Sequence, residues 1–487
     1  MTVNEIVEKL LSYAKAKLAL DKRNELYVRN AVLDIIGAES FVSSGVSYAN
    51  ESLEELLSAL VKTGASEGLF AEEDGEAVCD KVMGALMLSP KEIEEGFTQR
   101  MRISSARATE WLYDYSVNGD YVKKAKLDRN PRFKADNGLI VTINLAKPEF
   151  RDPKKAASGN STKGGYPKCT ICRENEGFGG RNKRTLRTVS LKLAGQNWFW
   201  QYSPYGYFYQ HGIAVNEQHI PMHVDKDTFF RLMDFVDMFP HYFIGCNACL
   251  PRIGGSVLAH DHYQGGGERL PIFDAGVKIP MRHKSFPEVK AGVLDWYGTA
   301  VRLTGTNREA VATLADYIRE GWSRYRNEEL GIIPEDEDGV HSAISPTVVK
   351  GKNGYELTLI LRNNITTEEY PDGVFHAHPE FHVIKKESIG LIEAQGLFIL
   401  PGRLVKELDE IKELLVKGEE LPEEMESYRM IFDELKGMSG SFTEEQAKKA
   451  IGKELSSVCE RILKNTAVFK SHEETAEFMR GIGFYEE

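Results

Sequence analysis

"GGSVLAHDHYQGG", residues 254–266, sets two histidines, His260 and His262, one residue apart between two glycine-rich stretches. Three readings compete for it: a turn between strands, a metal site, or a phosphate-handling nucleophile in a backbone cradle. On a strand, residues i and i+2 share a face, so extended backbone here stands the two imidazoles side by side. If the strand continues, Gln264 projects beside His262, where an amide can donate to a phosphoryl oxygen without adding charge. Imidazole is a good nucleophile at neutral pH because much of it is unprotonated there. Gly254 and Gly255 let backbone N–H groups approach anionic oxygens, and Ser256 adds a hydroxyl donor. A bare Gly-Gly-Ser is more often a turn than a phosphate site, and a histidine pair can also be a satisfied structural one. The closeness of the glycines to both histidines raises the functional reading.

The text on either side reads as strand and helix in alternation. "GLIVTINLA" is a short β-branched run, and "NWFWQYSPYGYFYQHGIAVN" alternates aromatic and polar residues with turn signals. "DKDTFFRLMDFVDMF" from Asp225 predicts an amphipathic helix, and "HYFIGCNACLP" another apolar strand. The order strand, strand, helix, strand, glycine loop, strand predicts an α+β fold with mainly antiparallel sheets. After about residue 300 a similar order returns: helical "REAVATLADYIREGWSRY", then strand-like "ELTLILRN", "GVFHAHPEFHVIKK" and "IGLIEAQGLFILP". An internal duplication is one reading of that return. Upstream, apolar residues at helical spacing over 4–36, the capping-box pair Ser52 and Glu55, and a third helical candidate over Ser89–Tyr115 make the N-terminal region helical. The expected division is 1–125 (helical), 126–298 (the half holding the motif) and 299–487 (the second half, with a helical, charged tail from about 404).

Composition narrows the class. The chain has 487 residues, 42% hydrophobic and 28% charged, with a net charge of -12 and no long Lys/Arg run. That argues against a nucleic-acid surface, which needs concentrated positive charge. The N-terminus lacks the apolar core of a signal peptide, and no stretch reaches the length of a membrane span. Six cysteines in so long a chain do not make a disulfide framework. A cytoplasmic location is expected.

"YPKCTICREN" supplies Cys169 and Cys172, half of a zinc-type site. Metal is preferred over redox chemistry because no thioredoxin-like context surrounds the pair; His219 and His260 are candidates to complete it. Cys246 and Cys249 form a second CxxC on an apolar, strand-like run, where buried free thiols are the better reading. "FHAHPEFH" holds His376, His378, Glu380 and His382, which fall on one face if the segment is extended. Structural hydrogen bonding or substrate contact is favoured there over a second metal. Lys385 and Lys386 follow, where a lysine could meet a phosphate or simply face solvent.

"NACLPRIGGSVLAHDHYQGG" resembles the signature of the class II (Firmicutes-type) UDP-glucose–hexose-1-phosphate uridylyltransferases, the galactose-1-phosphate uridylyltransferases. The likeness extends to "YPKCTICRENEGFGGR", "WFWQYSPYGYFYQHGIAVNEQHIPM", "MFPHYFIG" and "LRNNITTEEYPDGVFHAHPEFHVIKKESIGLIEAQGLFILPGRL". These blocks run in order over roughly residues 125–405. The resemblance implies two histidine-triad-like halves and a ping-pong transfer of UMP from UDP-glucose to galactose 1-phosphate through a uridylyl-histidine. The nucleophile is then His262, and Gln264 holds the phosphoryl oxygens of the intermediate. Gly254, Gly255 and Ser256 fall in the phosphate-contacting loop, Asn247 lies near the nucleotide, and Lys386 is a candidate substrate contact. The resemblance also implies a structural zinc on Cys169, Cys172, His219 and His260, with no divalent cation demanded by the chemistry. It allows a homodimer. Ile384 stands where one histidine of a second, iron-type site aligns, so that site is expected to be absent. Two departures stand out: Cys249 replaces the Asp of a usual "NADLP", and Gly267 replaces an Arg after "HYQGG". The competing functions are a nucleotide phosphorylase or hydrolase of the same superfamily, and a non-catalytic nucleotide-sugar-binding protein.

Overall fold

The computed structural model describes residues 1–145, 165–255 and 257–487; Ser256 lies outside the described residues. The N-terminal region is helical, with helices at Val3–Lys17, Glu25–Ile36, Leu53–Ser66, Gly75–Leu86, Pro90–Met101 and Ser105–Asn118. Thr2, Ser52 and Ser89 each close a capping box with a glutamate three residues on, an arrangement worth about 1 kcal/mol per cap. The single helix expected over Ser89–Tyr115 is two. Ser104 takes an extended conformation before the second one, and the two helices fold against each other. Trp111 packs over the Arg100 guanidinium at 4.2 Å.

Next come β1 (Arg132–Lys134) and β2 (Ile140–Asn144), an antiparallel pair. The main sheet begins with β3 (Val189–Leu193), β4 (Gln196–Tyr202) and β5 (Gly212–Asn216). The helix Lys226–Met238, capped by Asp225, crosses one face, and β6 (Phe243–Gly245) and β7 (His262–Gly266) return. The same succession then repeats. β8 (Val277–His283), β9 (Lys290–Leu294) and β10 (Ala300–Gly305) lead into the helix Arg308–Arg324. A short hairpin of β11 (Glu335–Asp336) and β12 (Gly339–Val340) follows. β13 (Ser342–Gly351) and β14 (Gly354–Asn363) complete the set. β15 (Leu397–Pro401) pairs in parallel with β2, and β16 (Phe484–Glu486) adds the last edge.

The sheet order is β16-β8-β9-β10-β14-β13-β6-β7-β5-β4-β3, eleven strands in one continuous sheet, with every neighbouring pair antiparallel. Apart from β16, it is two five-stranded sets of identical topology. Each runs first-second-third-fifth-fourth, and they meet along their fourth strands, β6 and β13. The expected return of the order after residue 300 is therefore a repeat of topology. Its opening meander starts at Val277, upstream of the 298/299 division.

Strand periodicity assigns the two faces. Tyr263 points to the helix-covered side: its hydroxyl accepts from Arg231 Nη1 at 3.0 Å, and its ring stacks on Trp198 at 4.6 Å. His262 and Gln264 consequently point to the opposite side. Separate cores lie on the two faces. One joins the N-terminal helices, the crossing helices and residues such as Trp198, Ile244 and Leu359. The other joins Phe243, Ile360, the β2–β15 layer and the C-terminal helices. Among the described residues no helix is long and apolar enough to cross a membrane.

Two expected strands differ from the structure. "HYFIGCNACLP" is extended only to Gly245, so Cys246 and Cys249 lie past the strand end, the first buried and the second half-buried. "GVFHAHPEFHVIKK" is turns and a 3₁₀ segment, Pro379–Phe381, and has no common histidine face. The reason is local. Pro379 starts the tight turn, His378 Nε2 bonds the carbonyl of Val374 at 3.1 Å, and His382 Nε2 bonds that of Ala377 at 3.0 Å. These imidazoles saturate loop carbonyls that no ladder satisfies.

Candidate active site and metal centre

His262 opens β7, opposite Val215 of β5, and is 6% exposed. His260 precedes the strand, so the two rings do not stand side by side as extended backbone would place them. Instead the backbone links them: His262 Nδ1 lies 2.8 Å from the carbonyl oxygen of His260. A carbonyl only accepts, so Nδ1 carries the proton and the Nε2 lone pair is free. Among the described residues nothing bonds Nε2. Burial pushes the His262 pKa below its ordinary value, the bond to His260 opposing it; the ring is neutral at neutral pH.

Gln264 sits on the same face, opposite Gly245 and Ile213. Asn247 follows β6 and is 1% exposed. Its Oδ1 accepts from the Leu391 N–H at 2.8 Å, which leaves Nδ2 a buried donor without a partner among the described residues. The glycines next to it are held by close approach. A Cβ at Gly255 would lie 2.8 Å from Asn247 Nδ2, and one at Gly254 would lie 2.1 Å from the Ala248 carbonyl. Any side chain at 255 would cover the amide that Asn247 offers. Lys386 is exposed and, among the described residues, makes no hydrogen bond or ion pair. Its neighbour Lys385 is buried on Glu393 at 2.5 Å and on Glu387 at 3.3 Å.

The second cluster is Cys169, Cys172, His219 and His260, whose ligand atoms all lie within 4.8 Å of one another. Cys169 Sγ is 3.4 Å from Cys172 Sγ and 3.3 Å from His260 Nδ1, and Cys172 Sγ is 3.2 Å from His219 Nδ1. Metal–sulfur bonds of about 2.3 Å and metal–nitrogen bonds of about 2.0 Å give tetrahedral edges of about 3.3–3.8 Å, so the donor set fits a four-coordinate ion. His260 Nε2 lies 2.8 Å from the Asn216 carbonyl oxygen and must carry the proton, which presents the Nδ1 lone pair to the cluster. Burial lowers the His260 pKa to about 4, and burial together with the Cys169 thiol pushes Cys172 up to about 12. Two crowded thiols beside neutral imidazoles are what a shared cation relieves.

Several groups had no signal in the sequence. Asn175 Nδ2 donates to the carbonyls of Cys169 and Cys172, each at 2.8 Å, and so shapes the cysteine knuckle. Ser345 Oγ accepts from the Ala248 N–H at 2.9 Å, and Arg362 Nη1 donates to the Ile389 carbonyl at 3.0 Å. Ser345 and Leu391 bring the second half against the Asn247 loop. No local spacing foretells the contacts of Ala248 with Ser345 and of Asn247 with Leu391, 97 and 144 positions apart. His211, one of twelve histidines, bonds Gln264 (Nε2 to Oε1, 3.3 Å).

The family model for the galactose-1-phosphate uridyl transferase N-terminal domain matches residues 19–221, and that for the C-terminal domain matches 233–429. The chain is 48% identical to galactose-1-phosphate uridylyltransferase of Bifidobacterium longum, over 98% of this chain and 97% of that one. The enzyme of Caldanaerobacter subterraneus is 36% identical over 98% of each chain. That of Clostridium perfringens is 35% identical over 98% of this chain and 97% of its own.

Proposed function

This chain belongs to the galactose-1-phosphate uridyl transferase family, and on that premise we propose that it moves UMP from UDP-glucose to galactose 1-phosphate through a covalent uridylyl-His262. The observation that carries the reading is the tautomer of His262: Nδ1–H is committed to the His260 carbonyl at 2.8 Å, and Nε2 is left for attack. In the first displacement the Nε2 lone pair attacks the uridylyl phosphorus. The bond to the bridging oxygen breaks, and glucose 1-phosphate leaves with that electron pair. In the second, a phosphate oxygen of galactose 1-phosphate attacks the same phosphorus, breaks the N–P bond and returns a neutral imidazole.

Between the two steps the ring is a cation. The Nδ1–H bond to the His260 carbonyl then becomes charge-assisted, and strengthens where it is needed. Covalent catalysis splits one difficult transfer into two displacements at one centre. Asn247 Nδ2 and the Gln264 amide supply neutral donors for the non-bridging oxygens, and Gly254 and Gly255 keep the approach open. Ser256 is a further contact in this reading, and Lys386, exposed in the structure, is a peripheral one.

Zinc on Cys169, Cys172, His219 and His260 is part of the proposal. When bound, the ion supplies a cross-link between the cysteine knuckle and the segment that carries the nucleophile. The chain's own atoms do the transfer, and His260 turns its carbonyl to His262 while its ring serves the cluster. As functional units we take the helical region to about residue 125 and two strand-helix-strand halves, the second opened by β8.

The test is a label. UDP-glucose radioactive in the phosphate next to uridine should leave one equivalent of label on His262, and galactose 1-phosphate should discharge it as UDP-galactose. An unlabelled enzyme, with His262→Asn as active as the native chain, would refute the reading.

A further inference from the structure

The geometry points to His211 as a positioning residue, one that fixes which end of the Gln264 amide faces the reacting phosphoryl group; we propose this on top of the transfer reaction above, and it rests on that reading. An amide can present either its oxygen or its nitrogen to a ligand. Toward a phosphoryl oxygen the nitrogen end attracts and the oxygen end repels. Something must hold the oxygen end away.

His211 can do so because its own tautomer is determined. The backbone N–H of Tyr207 donates to His211 Nδ1 at 3.3 Å, so that nitrogen carries a lone pair and the proton sits on Nε2. Nε2–H can only donate, and it lies 3.3 Å from Gln264 Oε1. The Gln264 amide nitrogen is thereby turned away from His211, and among the described residues it has no partner. His211 is 4% exposed, and burial lowers its pKa to about 4, so it stays a single-donor ring through the neutral range.

The surroundings hold the ring in place. It stacks on Tyr207 with centroids 4.9 Å apart and packs on Phe208 at 4.5 Å. Gln210, just before it, has a positive φ of 56°, a conformation a side-chain-bearing residue seldom takes. Tyr242 Oη donates to Gln210 Oε1 at 2.7 Å, and Gln210 Nε2 donates to Tyr209 Oη at 3.0 Å. The last glycine of "HYQGG", Gly266, makes room for this loop. A Cβ at Gly266 would lie 2.4 Å from the Gln210 carbonyl. Gly266 therefore lets the 207–211 loop come onto β7, and with it the imidazole onto Gln264.

A double-mutant cycle with a single-turnover readout tests this. The rate of uridylyl gain from UDP-glucose is followed by intact mass in the full chain and in His211→Leu, Gln264→Ala and the double variant. His211→Gln keeps a donor near the Nε2 position, and thermal unfolding of each variant is recorded alongside. We expect His211→Leu to slow uridylylation about tenfold, the loss of one well-placed hydrogen bond, with little change in KM for UDP-glucose. The same substitution in the Gln264→Ala background should cost less than about twofold, and His211→Gln should stay within about threefold of the native rate. Equal losses in both backgrounds, or a loss that follows the drop in thermal stability, would overturn the positioning role and leave the His262 chemistry intact. A native chain that never gains the uridylyl mass would overturn both.

Discussion

The two five-stranded sets share a topology and differ in what joins their last two strands. They meet in the register Phe243↔Val349, Ile244↔Val348 and Gly245↔Thr347, which defines a local two-fold. Gln264 pairs with Gly245, and under that two-fold the pair becomes Glu356 with Val349. Two residues earlier, His262 becomes Gly354. In the second half a tight turn joins β13 and β14, and Gly354, with φ +103°, lies so close to Gly305 that a Cβ would sit 2.4 Å from its carbonyl. In the first half the same connection is the long loop 246–261, which carries Asn247, Gly254, Gly255 and His260. One hairpin closes on itself, and the other opens a cradle. What the second half contributes is grip: Ser345 and Leu391 hold the loop of the first.

The largest test of that contrast is the matched pair His262→Asn and Glu356→Gln. The first should lower turnover on the order of 10⁴-fold or more, as for other removed nucleophiles. The second should stay within about twofold, since an exchange on the hairpin without a cradle removes no substrate contact. Equal losses would sink the asymmetry, and a coupled assay for glucose 1-phosphate release reads both. Next, on the proposed zinc site, Cys169→Ser should take bound metal from about one equivalent to nearly none and lower the unfolding midpoint, because an ion held only by the folded cluster would add to folding free energy. Metal analysis and a melting curve check it; an unchanged melting point in a metal-free protein would remove the cross-link from the account.

Asn247→Ala should lower kcat/KM by roughly 10- to 100-fold, about 1.5–3 kcal/mol for a donor to a charged group. Steady-state kinetics with UDP-glucose decide it. The smallest contrast is between two glycines. Gly255→Ala puts a methyl 2.8 Å from Asn247 Nδ2, whereas Gly351→Ala meets only the flexible end of Glu356, at 2.3 Å. The first should lose about fivefold in kcat/KM and the second less than about twofold, because a carboxylate tip can swing away and a buried amide cannot. Comparable losses would mean that Asn247 is not the group being covered.

Much of this was legible before any fold was known. "YPKCTIC", His219 and the His-x-His-x-Gln run announce candidate ligands and a candidate nucleophile by residue type and order, and helical spacing announces the N-terminal region and the crossing helices. The histidine-rich "FHAHPEFH" misled because its text alternates like a strand, while Pro379 and the hydrogen bonds of His378 and His382 turn it into a loop. His260 misled more usefully. Read as one strand with His262 it is a side-by-side partner; in place its ring joins the cysteine–histidine cluster and its carbonyl sets its neighbour's tautomer.

Composition, periodicity and motif order are local properties, and they were enough for the α+β class, the candidate nucleophile and the cysteine–histidine set. The orientation of the Asn247 amide, the imidazole against Gln264 and the joining of two halves into one sheet were out of reach of any such reading. Each depends on groups distant in sequence coming into contact, and only the folded chain brings them together.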